Sequence, residues 1–429
     1  MRVLISAGEA SGEMYGAQLI EALRRAASET AAELRSARTG EAPVPTRATP
    51  VPTRATLAPP AYQSTQALQL DFFGVGGDGM RAAGCDTVVD AKDLAVVGIM
   101  EILSHLPKIL GLYRHLIAEA DKRKPDLAIL IDSPAFNWRV ARQMKKRGVP
   151  TVYYVAPQFW AWRQGRVRLI RDYIDKALVI FPFEEQFYRE HGVDATFVGH
   201  PLAELSHPAI ERDEYATQFQ LDPSKPWITL MPGSRVKEVR MNLPTILEAA
   251  AQLGPDYEFL LPVAPTLDRS FLLDLIGKRS HKPPTPAQHK ITLVPESLPA
   301  LWHSRVGIVA SGTATVEAAM MCTPFVMVYR VSPLTYLLGR PRVRVPHFAM
   351  VNLIAGEEIV PELVQHDFTA GNIVARLHEV LPDGLARDRM LEGLARVKAR
   401  LRAPQAGSGA PQHPADRAAG IIQGRILHR

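Results

Sequence analysis

Cysteine is nearly absent from this 429-residue chain, with Cys85 and Cys322 the two examples, far apart in sequence. They cannot build a disulfide framework or a zinc ribbon, and a reducing cytoplasm is the expected setting. No run of about 18 apolar residues occurs, so the sequence offers no bilayer-spanning helix. The amino-terminal apolar run Val3-Leu4-Ile5 is too short for a signal peptide and is soon followed by the carboxylate Glu9. A Walker lysine motif, an Asp-x-Asp metal pair and H-E-x-x-H spacing are missing too. Chemistry without a metal or cofactor is therefore expected, with developing negative charge met by backbone amides and arginine.

What is present is globular in composition, with 47% hydrophobic and 22% charged residues. A net charge of +6 leaves nucleic acid, anionic lipid and phosphorylated substrates open as partners. Short aliphatic or β-branched runs at 3–6, 70–73, 127–131, 151–155, 177–180 and 196–198 read as strands. A second series follows at 227–231, 258–261, 291–294, 306–309 and 325–328. Helix-length segments at 14–25, 107–118, 137–146 and 244–252 lie between them. Continuous apolar strands separated by helices predict parallel sheets covered on both faces, hence an α/β chain of two doubly wound domains. The expected division is 1–202, a proline-bearing linker at 203–226, a second domain at 227–403, and a tail at 404–429 with a short terminal helix. Residues 30–68, which contain the near-repeats VPTRAT at 44–49 and 51–56, read as a flexible insertion.

The first strand runs into Gly8-Glu9-Ala10-Ser11-Gly12-Glu13, small residues that let a ligand approach backbone amides. A tight turn with close helix packing explains the same spacing. The formal G-x-G-x-x-G at Gly74, Gly76 and Gly79 is followed by too little helix before Gly84 to bind a dinucleotide. The strand at 127–131 ends in Asp132, where an open α/β sheet binds ligands, so Asp132 is a candidate general base or else a helix cap. Trp160 and Trp162, flanked by Arg163 and Arg166, either wall a cleft towards a sugar or acyl chain or pack as core aromatics; their place after a strand end favours the cleft.

In the second half, Gly233-Ser234-Arg235 follows the strand at 227–231 and promises unengaged amides beside a guanidinium suited to phosphate. Ser311-Gly312-Thr313-Ala314-Thr315 opens another helix, with Glu317 one turn inside as a candidate partner for ribose hydroxyls; helix capping is the plainer alternative. Residues 94–116 carry more apolar surface than an exposed helix needs, with Pro107 expected to divide them. This stretch, like 334–338 beside Arg340, Arg342 and Arg344, suits either core packing or a lipid surface. Among the histidines only His200, after a strand end, is carried as a candidate.

Taken in order, these segments resemble the lipid-A-disaccharide synthase family over nearly the whole chain. The resemblance rests on Gly8 to Gly12 with Glu13, on 98–103, on Asp132 to Asn137, on 160–164, on 181–184 and on 198–201. It continues through 232–235 with Glu238, 310–317, Tyr329-Arg330 and 352–356. It implies a GT-B glycosyltransferase: two Rossmann-like domains facing across a cleft, with UDP held mainly by the second and the acceptor facing the first. It further implies transfer of 2,3-diacylglucosamine from its UDP conjugate to 2,3-diacylglucosamine 1-phosphate (lipid X), giving a β-1,6-linked disaccharide and UDP, with inversion. By that resemblance Asp132 and Arg235 match essential residues and Asn352 a position near the donor. Gly233, Ser234, Ser311, Gly312, Thr313, Thr315 and Glu317 would hold UDP, while Gly8, Glu9, Ser11, Gly12, Trp160, Trp162 and Arg163 would line the acceptor side.

No metal, no cofactor and no nucleic acid are implied. Peripheral contact with the cytoplasmic leaflet of the inner membrane is expected, and the family forms homodimers. Two features depart from its pattern: the 30–68 insertion, and Ala156-Pro157-Gln158 where relatives carry Ser-Pro-Ser. Rival readings are another GT-B enzyme on UDP-N-acetylglucosamine (a murein-precursor transferase or an epimerase), a nucleotide-binding oxidoreductase, and a non-catalytic lipid-binding protein.

Overall fold

The structure, a computed structural model, describes residues 1–8, 10–38, 70–94, 99–162, 164–277, 290–340, 343, 345–404 and 412–427. The apolar runs become strands β1 (Arg2–Ala7), β2 (Asp71–Gly76), β3 (Cys85–Asp90), β4 (Leu127–Ile131), β5 (Thr151–Tyr154), β6 (Lys176–Val179) and β7 (Ala195–Phe197). A second set comprises β8 (Trp227–Met231), β9 (Glu258–Pro262), β10 (Ile291–Val294), β11 (Val306–Ala310), β12 (Phe325–Tyr329) and β13 (Glu362–Val364). They form a seven-stranded sheet ordered β3-β2-β1-β4-β5-β6-β7 and a six-stranded sheet ordered β10-β9-β8-β11-β12-β13. Each neighbouring pair runs parallel. Central strands such as β4, LAILI, are buried at every position, as a sheet covered on both faces requires.

In each sheet the strand order reverses once, between β1 and β4 and again between β8 and β11. Crossovers leave in opposite directions at such a point, and the helices part to open a crevice beyond the carboxyl ends of the strands. Ala7 pairs with Ile131, so Gly8 and Asp132 emerge side by side at the first reversal. Met231 pairs with Val309, which brings the turns after β8 and β11 together at the second.

Three expectations change. The segment containing Pro107 is one helix, Ile99–Arg123, running through the proline rather than divided by it. Proline removes one intrahelical hydrogen bond, and the inward residues Leu112, Tyr113 and Leu116, packed into the first domain's core, hold the helix together. Residues 30–38, placed in the insertion, continue the first helix, Ala10–Arg38; the rest of that insertion up to 68 lies outside the described residues. The helix Arg212–Phe219, assigned to the linker, packs Tyr215 and Ala216 against Trp227, Leu260 and Val294, and so belongs with the second sheet.

The chain crosses between domains a second time at its far end. The amide of His200 donates to the carbonyl of Leu401 at 2.9 Å, where the helix Leu385–Arg400 finishes. The final helix, Pro414–Leu427, then returns to the first domain and packs along Ala10–Arg38. Ala415, Ala418, Ala419 and Ile422 are buried there, and Arg25 pairs with Asp416 at 2.6 Å. Ile422→Ala should therefore lower unfolding free energy by about 2–5 kcal/mol. An unchanged urea midpoint would show that this helix does not dock.

Candidate functional site

On the first domain the site begins with a strained turn. Asp132 and Ser133 both adopt left-handed backbone, each at φ +47°, which non-glycine residues hold only when their surroundings compel them. Fully buried Asn137 supplies that compulsion. Its Nδ2 donates to the carbonyls of Asp132 (2.8 Å), Ile131 (3.0 Å) and Ser6 (3.2 Å), while its Oδ1 accepts from Ser6 Oγ at 2.7 Å. The Tyr153 phenol adds a second donor to the Asp132 carbonyl at 2.6 Å. With its backbone fixed, the Asp132 carboxylate faces the first turn of Ala10–Arg38, where Ser11 Oγ donates to it at 3.5 Å.

Gly8 makes this approach feasible, whereas a methyl group on Gly12 would meet Asp132 Cβ at 3.4 Å, an ordinary contact. A methyl group on Gly8 would lie 2.6 Å from Ser133 Oγ, too close for any real contact. Burial pushes the Asp132 carboxyl upward, opposed by the Ser133 amide, the Ser11 hydroxyl and the charge of Arg235 from the other domain. A half-buried carboxylate with raised basicity, aimed into a crevice, is suited to taking a proton from an alcohol.

The second domain presents its two turns opposite. Arg235 is 71% exposed at the start of the helix Val236–Leu253. The amides of Ser234 and Arg235, expected to be unengaged, instead donate to Glu238 Oε2 at 3.3 and 3.4 Å. Glu238 sits three residues into the helix and closes a capping box, so the bond is a local one.

After β11, Ser311 gives its hydroxyl to the Phe348 carbonyl at 2.8 Å and its amide to Val328. Thr315 bonds back to the Gly312 carbonyl at 2.8 Å. No side chain caps the helix Thr313–Met320, and the Thr315 amide donates to the Gly312 carbonyl at 3.1 Å, which leaves the amides of Thr313 and Ala314 as the first-turn donors without an intrahelical acceptor. Burial raises the Glu317 carboxyl, and Ser297 Oγ donates to it at 2.7 Å.

The first-domain residues Gly8, Ser11, Gly12 and Asp132 thus meet at one reversal point, and Gly233 to Arg235 with Ser311 to Glu317 at the other. Three other candidates do not join them. Trp160, favoured as a cleft wall, is core: its Nε1 donates to Glu184 Oε1 at 2.9 Å and its ring packs edge-on against Phe183 at 4.8 Å.

Asn352, expected near the donor, is fully buried and saturated. Its Nδ2 donates to Val360 O and Glu362 Oε1, and its Oδ1 accepts from the amides of Ile359 and Val360. Glu362 in turn accepts from the amides of Phe348 and Ala349. Asn352 therefore holds the loop that receives Ser311 and offers no free group. Glu9, the side chain of Trp162, and Arg163 lie outside the described residues. His200 is buried, tilted against Phe181 and pushed down to about 3, a neutral structural imidazole. The G-x-G-x-x-G turn is occupied by Glu13, whose carboxylate accepts from Gly79 N at 2.6 Å.

No sequence motif marks Tyr15. One helical turn beyond Ser11 on the same face, it is buried and raised to about 12, chiefly by burial and then by Asp132 and Glu317. It therefore feels charges from both domains at once. The buried Tyr154 hydroxyl, within electrostatic reach of Tyr15, has no hydrogen-bond partner among the described residues.

A family model described as lipid-A-disaccharide synthetase matches residues 61–403. The chain belongs to the lipid-A-disaccharide synthase family. Relatives of that name agree along the full length. The protein of Koribacter versatilis is 47% identical over 423 residues, 99% of both chains. That of Acidobacterium capsulatum is 46% identical over 410 residues, 94% of this chain and 92% of its own.

Solved structures support the architecture alone. The calicheamicin glycosyltransferase CalG4 superposes with TM-score 0.56 at 15% identity, covering 99% of this chain and 98% of its own. A UDP-GlcNAc 2-epimerase from Neisseria meningitidis bound to UDP-GlcNAc gives 0.54 at 12%, covering 100% of both. The fold is GT-B, and this lipid-A-disaccharide synthase family member is a glycosyltransferase of lipid A biosynthesis.

The buried Trp160–Glu184 pair carries its own signature. Glu184 also accepts from the amides of Ile180 and Phe181, yet burial pushes its carboxyl up from 4.5 to about 7. Between those values the folded chain holds a proton that the unfolded chain has released. Stability therefore falls as pH rises from 4.5 to 7 and levels off above. Urea titrations across that window should show a shallower fall in Glu184→Gln, and an identical slope would remove Glu184 as its source.

Proposed function

We propose that the chain transfers 2,3-diacylglucosamine from its UDP conjugate to the 6-hydroxyl of 2,3-diacylglucosamine 1-phosphate. The supporting observation is that Asp132, at the reversal of the first sheet, lies within electrostatic reach of Arg235, at the reversal of the second. Asp132 takes the hydroxyl proton as O6 attacks the anomeric carbon from the face opposite the leaving group. The bond from that carbon to the diphosphate breaks, and the configuration inverts. Negative charge gathering on departing UDP falls beside Arg235 and the first-turn amides after Gly312, donors fixed before the reaction begins. Glu317, whose charge reaches Tyr15 as that of Asp132 does, accepts from the ribose hydroxyls in this reading.

These donors supply the positive charge that a metal ion otherwise provides, and the transfer runs without one. The acyl chains imply work at the cytoplasmic surface of the inner membrane. Leu106 and Leu110 on the helix Ile99–Arg123, and Leu337 beside Arg340, are exposed large side chains of the kind a lipid surface receives. A homodimer and the absence of any nucleic-acid partner complete the reading.

Mixing the protein with both substrates in excess EDTA should yield tetra-acylated disaccharide by mass spectrometry; a strict divalent-ion requirement would defeat the metal-free route. Asp132→Asn should lower kcat about 10²–10⁴-fold while leaving UDP affinity intact. Near-normal turnover in that variant would remove Asp132 as the base. In the wild type, the acidic limb of kcat/KM should lie above the ordinary aspartate range, because burial raises this carboxyl.

A further inference from the structure

Three groups on the second domain point at one spot, and one side chain already occupies it. Glu238 takes the Ser234 and Arg235 amides on Oε2 and the Arg235 guanidinium on Oε1, the last at 3.1 Å. Gly233, at φ +121°, leaves room for this, since a methyl group there would lie 2.8 Å from Glu238 Oε2. Two neighbouring amides and a guanidinium are the donors a diphosphate oxygen would choose. The amide contacts are longer than the usual 2.7–3.2 Å of an N–H···O bond, and the Glu238 side chain is 39% exposed, so the carboxylate is loosely held and can swing into solvent.

We propose that Glu238 is a resident stand-in for the donor diphosphate, holding the Ser234–Arg235 donors in place while the site is empty and competing with UDP for them when it fills. The inference rests on the donor-site reading above and adds to it a residue that sets nucleotide affinity and product release. With Glu238 in place the donors stay preorganised, at the cost of one anion that must be displaced. Displacement of a carboxylate makes the penalty specific to phosphate, and the uridine part of the ligand does not share it. It also favours departure of UDP, because the leaving diphosphate is replaced at once by a tethered anion.

The test is Glu238→Gln, which removes the charge but keeps a residue type that closes the same capping box. Calorimetric titration with UDP, UMP and uridine reads the outcome, and thermal melting confirms that the variant folds. UDP should bind about five- to tenfold tighter than to wild type, UMP by less, and uridine with unchanged affinity. Product inhibition by UDP should strengthen in step. Glu238→Ala, a second variant without the cap, should shift the UDP-to-uridine ratio in the same direction. Unchanged or weaker UDP binding, or a parallel shift for uridine, would make Glu238 a helix cap alone and overturn the proposal. Failure of the wild-type protein to bind UDP at all would instead strike at the donor-site reading itself.

Discussion

Asn137 joins the two strands that part company at the centre of the first sheet. Its single amide reaches the carbonyls of Ser6 at the end of β1 and of Ile131 and Asp132 at the end of β4, three acceptors sharing two hydrogens. Parallel pairing cannot itself tie these ends together, because beyond the last ladder bond each strand turns towards a different helix. The fully buried amide closes that gap where an unmade bond is expensive. Everything the carboxylate of Asp132 does follows from this: its left-handed backbone, its approach to Ser11 and its exposure to the opposite domain. The second domain has a counterpart in Asn352 and Glu362, which fix the Phe348 loop on which Ser311 leans.

Both domains thus separate the groups that hold from the groups that act. The holders are the buried amides of Asn137 and Asn352 and the Tyr153 phenol, with Glu362 the one carboxylate among them. The actors are charged, half-exposed and incompletely bonded. Asp132 and Arg235 come from different domains joined by the short stretch before Arg212 and by the chain that leaves Leu401, so their separation is a property of how the two halves sit. Tyr15, raised by burial and then by charge from both sides, lies where a change in that separation is felt.

The sequence made most of this architecture readable because parallel strands buried on both faces are written as uninterrupted apolar runs. Two strands were not readable, for a shared reason. β3, CDTVVD, and β13, ELV, carry carboxylates and offer only two consecutive aliphatic residues each, Val88-Val89 and Leu363-Val364, too few to read as an uninterrupted apolar run. The turns bearing Asp132 and Arg235 announced themselves by position after a strand. The roles of Trp160 and Asn352 did not, since a buried partner such as Glu184 or Glu362 lies 24 or 10 residues away and nothing local marks the pairing. Tyr15 stayed hidden for the opposite reason: an aromatic on the inner face of an amphipathic helix reads as core.

The return of the final helix to the first domain has a consequence during synthesis. Apolar surface on Ala10–Arg38 leaves the ribosome well before the segment that covers it, Pro414–Leu427, has been made. At about 5–20 residues per second, roughly 20–75 s separate the two. Throughout that interval the nascent amino-terminal domain carries a greasy stripe with no cover of its own, a natural landing place for a holding chaperone.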